Sequence, residues 1–455
     1  MRYSFICIAL LLLPPRLVAQ GSDWPKFLGP LGTSVSSEKG ILTSWPKAGP
    51  PIVWQRKLGT GYGAPSIANG KLYIFDRAVE KVEVDGKIGY RETKRARLTC
   101  LDARTGKENW NFDYPTGYKD FFGYNNGPRC CPLIDGDRVY IYGVEGMLHC
   151  LKADNGESVW KVDTATQFGV VQNFFGIGST PVIEGDLLIV MVGGSPAGSD
   201  PREFLDLKGN GSAIVAFDKN TGKVRYKISD ELASYSGPVL ATIDGRRLCL
   251  AFCRGGLLAF EPSTGKIDVH FPYRSPDLES VNAANPLVLG DRVLLTECYG
   301  PGAVLLKLAP GKADVVWTDA KKPPAKKSLM CHWMTPIYHD GYVYGSSGRH
   351  TRQAELRCVE LATGKVMWSE PDLTRSSLLM VDGHFVCLSE DGILRLLKVN
   401  PNKYELVSEV DLLDPTTKQP LLDYPCWAAP VLSHGLMYVR GEDRLVCVEL
   451  IPKKK

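Results

Sequence analysis

The stretch Cys100-Leu101-Asp102-Ala103-Arg104-Thr105-Gly106-Lys107, followed by Trp110, decides the fold. A small residue ends an apolar run, an acidic residue two positions on and Thr-Gly-Lys form a tight turn, and an aromatic residue sits in the returning strand. The same spacing recurs from Cys150 through Asn155-Gly156-Glu157 to Trp160, and from Ala216 through Thr221-Gly222-Lys223 to Tyr226. It returns from Ala259 through Thr264-Gly265-Lys266 to Val269, and from Cys358 through Thr363-Gly364-Lys365 to Trp368. Weaker copies follow Leu305 (Gly311-Lys312, then Trp317) and Leu396 (Asn402-Lys403), and the chain closes on Leu445-Val446-Cys447-Val448.

Each copy is preceded by a stretch of small residues ending in proline, at Pro65, Pro132, Pro181, Pro238, Pro286, Pro336 and Pro430, with Met380 or Val381 in the remaining place. Between the proline and the turn lie further strand patterns, broken by Asn69-Gly70, Asp135-Gly136, Glu184-Gly185 and Asp382-Gly383. Every unit therefore reads as a four-stranded antiparallel sheet, which cannot bury both faces alone and must stack radially on its neighbours. The predicted fold is all-β, an eight-bladed β-propeller. The eighth unit lacks its outer strand, while Ile52-Val53-Trp54-Gln55-Arg56-Lys57-Leu58 carries the outer-strand pattern ahead of the first unit. That segment is predicted to complete blade 8 and close the ring.

The ends divide as a leader (1–20), an extension (21–51), the propeller (52–451) and a basic tail (452–455). Arg2, an apolar run over 5–13, the break at Pro14-Pro15 and Ala19 form a secretory leader pattern, which predicts a periplasmic or secreted protein. The run is too short to span a membrane, and no cysteine follows the expected cleavage point near Ala19 or Gln20, so no lipid anchor is expected. Lys plus Arg total 54 against 50 for Asp plus Glu, without a concentrated basic face, which argues against nucleic acid as a partner. The lysines around Pro323-Pro324 and in the tail read as solvated loop and terminus. Of the 13 cysteines, Cys7 lies in the leader; Cys100, Cys150, Cys358 and Cys447 share one repeat column with Ala216 and Ala259, where a small buried residue is wanted.

In a propeller the loops joining second to third strands and those joining blades share one face. All the long insertions fall there, at 77–97, 115–127, 167–178, 194–211, 319–329 and 413–424, whereas the opposite face has minimal turns. Long loops on a rigid frame favour binding. The same face receives the starts of the inner strands, which place Tyr62, Arg129, Cys130, Cys131, Asn173, Tyr235, Asn282, Asn285, His332, Trp333, Arg375, Cys426 and Trp427 around the channel mouth. This ring would suit a planar or sugar-like ligand, with Arg129 and Arg375 offered to carboxylates. Alternatively the amides satisfy backbone groups and the aromatics plug the channel. Cys130-Cys131 either form a strained vicinal disulfide or point to opposite faces of a strand. Cys249 and Cys253 share a strand face without further ligands of metal spacing, so no metal site is expected. His332 is a candidate base or ligand without a neighbouring carboxylate in sequence, and Glu145, Glu390-Asp391 and Glu442-Asp443 read as turn residues. No phosphate loop, dinucleotide fingerprint or His-Glu-x-x-His motif occurs.

The repeated small residue, acidic residue, Thr-Gly-Lys and Trp pattern resembles the tryptophan-docking repeat of quinoprotein propellers. In that family the outer-strand Trp docks between blades, which is the role implied for Trp54, Trp110, Trp160 and Trp368. The opening Asp23-Trp24-Pro25, Phe27, Gly29-Pro30 and Trp45-Pro46 is similar to pyrroloquinoline-quinone-binding-like propellers of bacterial secreted proteins. The resemblance implies two branches. In quinoprotein alcohol dehydrogenases a vicinal disulfide covers pyrroloquinoline quinone (PQQ) with calcium or a lanthanide, and Cys130-Cys131 matches in type and position. There Arg129, Arg375 and Trp427 would meet the cofactor, although the family's Glu, Asn and Asp metal ligands have no counterpart in this sequence. BamB-like outer-membrane assembly propellers are eight-bladed scaffolds without cofactor, and length and blade number agree with them. The leading expectation is a non-catalytic binding or scaffolding module of the cell envelope whose partner is a protein or polysaccharide. The alternative is a PQQ-dependent dehydrogenase, and a third reading is carbohydrate binding on Trp333 and Trp427.

Overall fold

A computed structural model describes residues 21–84 and 87–453; the leader expected over 1–20 and the last residues of the tail lie outside the described residues. The strands form eight antiparallel sheets, at 66–115, 133–163, 182–228, 239–272, 287–318, 337–370, 376–411 and 431–449, numbered here as blades 1 to 8. Blade 8 receives its outer strand from Ile52–Lys57, with Trp54 opposite Cys447 and Gln55 opposite Val446. The ring is thus closed as the repeat pattern predicts. Hydrophobic clusters fill the seams between blades; one joins Leu148, Leu188 and Phe217 of blades 2 and 3.

The decisive motif works at these seams. In each of the five clear copies the column residue stands directly across the ladder from the docking position: Cys100 from Trp110, Cys150 from Trp160, Ala216 from Tyr226, Ala259 from Val269 and Cys358 from Trp368. A bulge follows each pair and turns the outer strand toward the next blade. Where that blade's turn carries a glycine beneath an aromatic, as under Trp54, Trp110, Trp160, Tyr226 and Trp317, the ring lies on it. A Cβ on Gly106 would come 2.7 Å from the Trp54 ring, on Gly156 2.5 Å from Trp110, and on Gly222 2.8 Å from Trp160. These glycines also hold positive φ, at 69°, 74° and 70°, so any side chain is refused twice over. The indole N–H of Trp54 donates to the Ala103 carbonyl at 3.1 Å, that of Trp160 to Lys219 at 2.9 Å and that of Trp317 to Leu361 at 2.8 Å. Asp102 secures the turn itself, accepting from the Thr105 N–H and hydroxyl at 2.8 Å each.

Two features depart from the repeat pattern. Turn register in blade 7 places Val381 where blade 1 has Ala68, so Leu378 rather than Met380 or Val381 stands in the proline position. Without proline the inner strand lengthens to Ser376–Val381 and keeps free N–H groups, and Met380 donates one to Ser34 at 2.9 Å. The second departure is the 77–97 insertion, which continues the strands Lys71–Val84 and Lys87–Asp102 as a projecting two-stranded arm instead of a loop.

The extension runs through the channel. Trp24, 1% exposed, exchanges both backbone hydrogen bonds with Ile67 of blade 1, and the Pro25 carbonyl accepts from Ile134 of blade 2. Val35–Ser36 then pair in parallel with the inner strand of blade 7. The buried Glu38 carboxylate takes the N–H groups of His434 and Gly435 at 2.8 and 2.7 Å, tying the extension to blade 8.

Two predictions follow from this packing. Replacing Trp54 with alanine removes the ring-closing aromatic and should cost about 3 kcal/mol, within the range for large aromatic truncations, read as a lower urea midpoint with a single transition. His149 in blade 2 is buried between Tyr114 and Phe112, with ring centroids at 4.5 and 5.2 Å, and neither ring nitrogen has a hydrogen-bond partner. Burial, with a contribution from Lys161, lowers its pKa to about 4. The unfolded chain takes this proton below about pH 6.5 and the native state does not, so stability falls as pH drops from there toward 4, by about 3 kcal/mol in all. His149→Phe should flatten that part of the stability–pH curve while matching wild type at pH 8.

Candidate functional site

The site begins with the 115–127 insertion between blades 1 and 2. Asp120 sits at its centre with a 1% exposed side chain, one carboxylate oxygen taking the N–H groups of Phe122 and Tyr124 at 2.8 and 3.0 Å. The other faces Arg129 at 3.2 Å. The guanidinium of Arg129 also donates to the carbonyls of Asn125 and Gly127. Asn125 then reaches across the seam, donating its backbone N–H to the Tyr62 hydroxyl oxygen at 3.1 Å and its side-chain amide to Glu442 of blade 8 at 3.1 Å. Gly127 is required where the loop passes blade 1, since a Cβ there would lie 2.0 Å from the Thr60 carbonyl oxygen. The result is a braced loop that brings Phe122 and Tyr124 to the channel mouth.

Beneath it lies a cavity of about 430 Å³. Of the residues expected at the mouth, Tyr62, Arg129, Cys131, Tyr235, His332, Trp333, Arg375 and Trp427 line it. Trp427 is the hub: Tyr62, Trp333 and Tyr124 stand with ring centroids 4.8, 5.3 and 5.6 Å away. The remaining candidates lie elsewhere. Cys130 packs among the blade 2 and 3 core residues, whereas Cys131 joins the cluster around Trp24 and Ala64, so the adjacent side chains diverge and both thiols are free. Burial raises both thiol pKa values, Cys131 to about 12 and Cys130 further. Asn285 is buried and its amide oxygen accepts the Gly237 N–H at 2.7 Å, a backbone role. Asn173 lines a neighbouring cavity and accepts from the Tyr235 hydroxyl at 2.6 Å.

A buried polar network underlies the indoles. Arg375 grips the fully buried Glu390 through Nε at 2.9 Å and Nη2 at 2.6 Å, and the Trp427 indole N–H donates to the same carboxylate at 2.9 Å. Burial opposes the charge on Glu390, but the paired Arg375 and the indole outweigh it and hold the carboxyl below its ordinary range. The Arg375 guanidinium also stacks 4.6 Å from the Trp333 ring centre. Its Nη1 contacts His332 Nδ1 at 3.3 Å, and His332 Nε2 meets the Tyr299 hydroxyl at 3.0 Å. Because a guanidinium only donates, Nδ1 is the acceptor and the imidazole proton sits on Nε2, facing Tyr299. Burial, then Arg375, Arg349 and His350, lower the His332 pKa to about 3, so the ring is neutral.

Several site residues escaped the sequence reading. Glu390 was taken for turn chemistry, yet it anchors both Arg375 and Trp427. Phe174, Phe175, Tyr299 and Arg349 also line the cavity, and Phe27 of the extension reaches it from the channel. The aromatic pairs Phe121-Phe122 and Phe174-Phe175, lying inside insertions already assigned to this face, were the available signal. For Phe27 there was none, because the repeat says nothing about the path of a non-repeated tail.

Eight four-stranded blades, five of them with a docking tryptophan in the outer strand, around an aromatic channel mouth define the PQQ-like class of β-propeller. A family model described as outer membrane protein assembly factor BamB matches residues 94–370, and the chain belongs to that family. BamB of Shewanella oneidensis is 22% identical over 72% of this chain and 73% of its own length. Quinohemoprotein alcohol dehydrogenase ADH IIB of Pseudomonas putida is 25% identical over 34% of this chain, so the chain spans about a fifth (21%) of that enzyme's length. Among solved structures, BamB from Moraxella catarrhalis aligns over 89% of this chain and 98% of its own at TM-score 0.55 and 14% identity. Quinohemoprotein alcohol dehydrogenase from Comamonas testosteroni aligns over 95% of this chain and 81% of its own at TM-score 0.62 and 12% identity. Both likenesses show the fold.

Breaking the buried pair at the mouth should be costly. Glu390→Gln leaves the Arg375 charge uncompensated at a largely buried position, and a loss of about 3 kcal/mol is expected. The double variant Glu390→Leu with Arg375→Leu should be less destabilised than Arg375→Leu or Glu390→Leu alone, with urea unfolding of all four proteins closing the cycle.

Proposed function

We propose that this protein is a non-catalytic binding and scaffolding propeller of the cell envelope, periplasmic or secreted, that engages a protein partner through its insertion-bearing face. One observation carries the reading: Phe121, Phe122, Tyr124 and Tyr424 are 69%, 48%, 40% and 55% exposed, in two insertions of the same face, the first of them braced by the hydrogen bonds of Asp120 and Arg129. Exposed aromatic clusters of this kind mark interaction surfaces, and preordered loops reduce the entropy lost on docking. The leader pattern and membership of the BamB family support the compartment and the scaffolding role. Among the described residues no helix is long and apolar enough to cross a membrane.

The charges of the mouth support the same reading over PQQ-dependent oxidation. Arg129 is engaged by Asp120 and Arg375 by Glu390, so neither guanidinium stands ready for quinone carboxylates. Cys130 and Cys131 face different clusters, and no group of three or more metal-capable side chains gathers among the described residues. These residues do not fit a quinone held with calcium or a lanthanide beneath a vicinal disulfide.

Photo-crosslinking residues placed at Phe121 and Tyr424, with Asn69 on the opposite face as control, test the proposal in cells of the source organism. Adducts to one envelope protein from the mouth positions alone, lost on Tyr124→Ala, are expected; equal labelling from both faces would sink it. Titration of the purified chain with PQQ plus calcium or lanthanum provides the counter-test. A saturable difference spectrum with alcohol-dependent dye reduction would replace this reading with the dehydrogenase.

A further inference from the structure

The cavity at the mouth is lined by rings that keep part of their surface open: Tyr62, Phe175, Tyr235, Trp333 and Trp427 are half-buried and Tyr124 is exposed. Neighbouring rings stand tilted to one another, Tyr62 and Trp427 by 48°, Trp333 and Trp427 by 49°, and Tyr124 and Phe175 by 79°. A set of tilted rings offers both faces and edges, the two surfaces that another aromatic ring prefers to meet. A pocket of this kind is where a protein partner seats the single large side chain that carries most of its binding energy.

The charges of this lining are not evenly matched. Its three arginines each meet a carboxylate from outside the lining. Arg129 meets Asp120 at 3.2 Å and Arg375 meets Glu390 at 2.6 Å. Arg349 meets Asp277 at 3.7 Å, and its guanidinium lies 4.4 Å from the Tyr299 ring centre. Glu279 is the one carboxylate of the lining, and it is exposed. Its backbone N–H donates to Asp277 at 3.0 Å, but among the described residues its own carboxylate has neither a hydrogen bond nor an ion pair. Glu442, which reaches the mouth loop from blade 8, is taken by the Asn125 amide. An incoming partner therefore meets one uncompensated negative charge beside an aromatic bowl, and charge complementarity asks it for a cation there.

Resting on the docking role proposed above, we infer that the partner anchors in this cavity through one aromatic side chain next to a lysine or arginine, the ring entering the bowl and the cation pairing with Glu279. The ring supplies the affinity and the ion pair the choice among aromatic segments, since an exposed pair is worth little by itself.

The test uses the full chain and acetylated, amidated tetrapeptides: Gly-Phe-Lys-Gly, Gly-Lys-Phe-Gly, Gly-Phe-Glu-Gly and Gly-Ala-Lys-Gly. Binding is read by saturation-transfer NMR up to about 10 mM, some tenfold above a Kd on the order of 1 mM. Saturable transfer is expected from at least one of the two peptides that join phenylalanine to lysine. The alanine peptide should bind more than about tenfold more weakly, as loss of a buried ring implies, and the glutamate peptide about fivefold more weakly, the size of one exposed ion pair. Glu279→Gln should abolish the preference for lysine over glutamate, Glu279→Lys should reverse it, and Tyr124→Ala should weaken every phenylalanine peptide. Because the Glu279 carboxylate has no partner among the described residues, both Glu279 variants should melt with the wild type, which separates ligand contact from structural damage. No saturable binding of either phenylalanine–lysine peptide, equal binding of the lysine and glutamate peptides, or a preference unchanged in Glu279→Lys overturns the inference. Crosslinking from Phe121 and Tyr424 is scored without peptide, so the two readings fail separately. Adducts without a peptide preference keep the docking face and remove this anchor; the preference without adducts keeps the aromatic–basic site and removes the envelope partner.

Discussion

The contact on which the ring depends is an aromatic face laid on a bare glycine. Trp54, Trp110, Trp160, Tyr226 and Trp317 each cover the turn glycine of the following blade. The turn must present no side chain, which demands glycine, and must be held in place, which the acidic residue and threonine accomplish. Across the ladder from the ring stands a fully buried column residue, Cys or Ala opposite Trp54, Trp110, Trp160 and Tyr226 and Leu305 opposite Trp317. Three seams depart from it: Val269 stands at the docking position of blade 4, Trp368 meets the glycine-free turn at Asn400, and Ser408 stands where blade 7 should carry its aromatic. At the last of these the extension supplies Trp45, whose backbone N–H donates to Ser408 Oγ at 3.2 Å and whose ring joins the blade 7 and 8 cluster. Terminal sequence thus supplies an aromatic to a seam that its own repeat leaves without one.

The same extension explains why the channel is not a pore. Its passage from blades 1 and 2 to blade 7 leaves Phe27 under the mouth, so the cavity is a shallow bowl closed from below by the chain itself. A bowl of aromatic rings over a neutralised Arg–Glu pair is stiff and only weakly charged. Its recognition must come from shape and apolar contact, with long-range electrostatic steering playing little part.

Why the blades were legible in the sequence and the mouth less so follows from the span of their contacts. Column residue, turn and docking ring all fall within about ten residues, so each copy announces itself, and the ring closure could be deduced from an outer strand found at the wrong end of the chain. Mouth contacts join distant segments: Asn125 meets Glu442 across 317 positions, and Glu390 meets Trp427 across 37. Residue type and face were enough to nominate Trp333, Arg375 and Trp427, but not to find Glu390, because an acidic residue before Asp391-Gly392 has an ordinary explanation as a turn former. Leu378 was misplaced for a related reason. Where proline is missing, its position can be recovered only from ladder register, which the sequence does not display.

Division of labour between frame and insertion also accounts for relatives of different function on one ring. Docking fixes the blades through their narrow turns, and those turns all lie on the face away from the mouth. Insertions on the other face therefore change without disturbing a single ring-on-glycine contact. In this chain they have grown in three ways that the ring itself does not require: a projecting arm at 77–97, an aromatic rim at 115–127, and part of the lining of a second cavity at 167–178 with 194–211. Each adds buried or half-buried side chains at a place where stability gains little and exposed surface gains shape. A fold that needed only to persist would have kept the short loops it uses opposite, so the physical case for function rests on this asymmetry between its two faces.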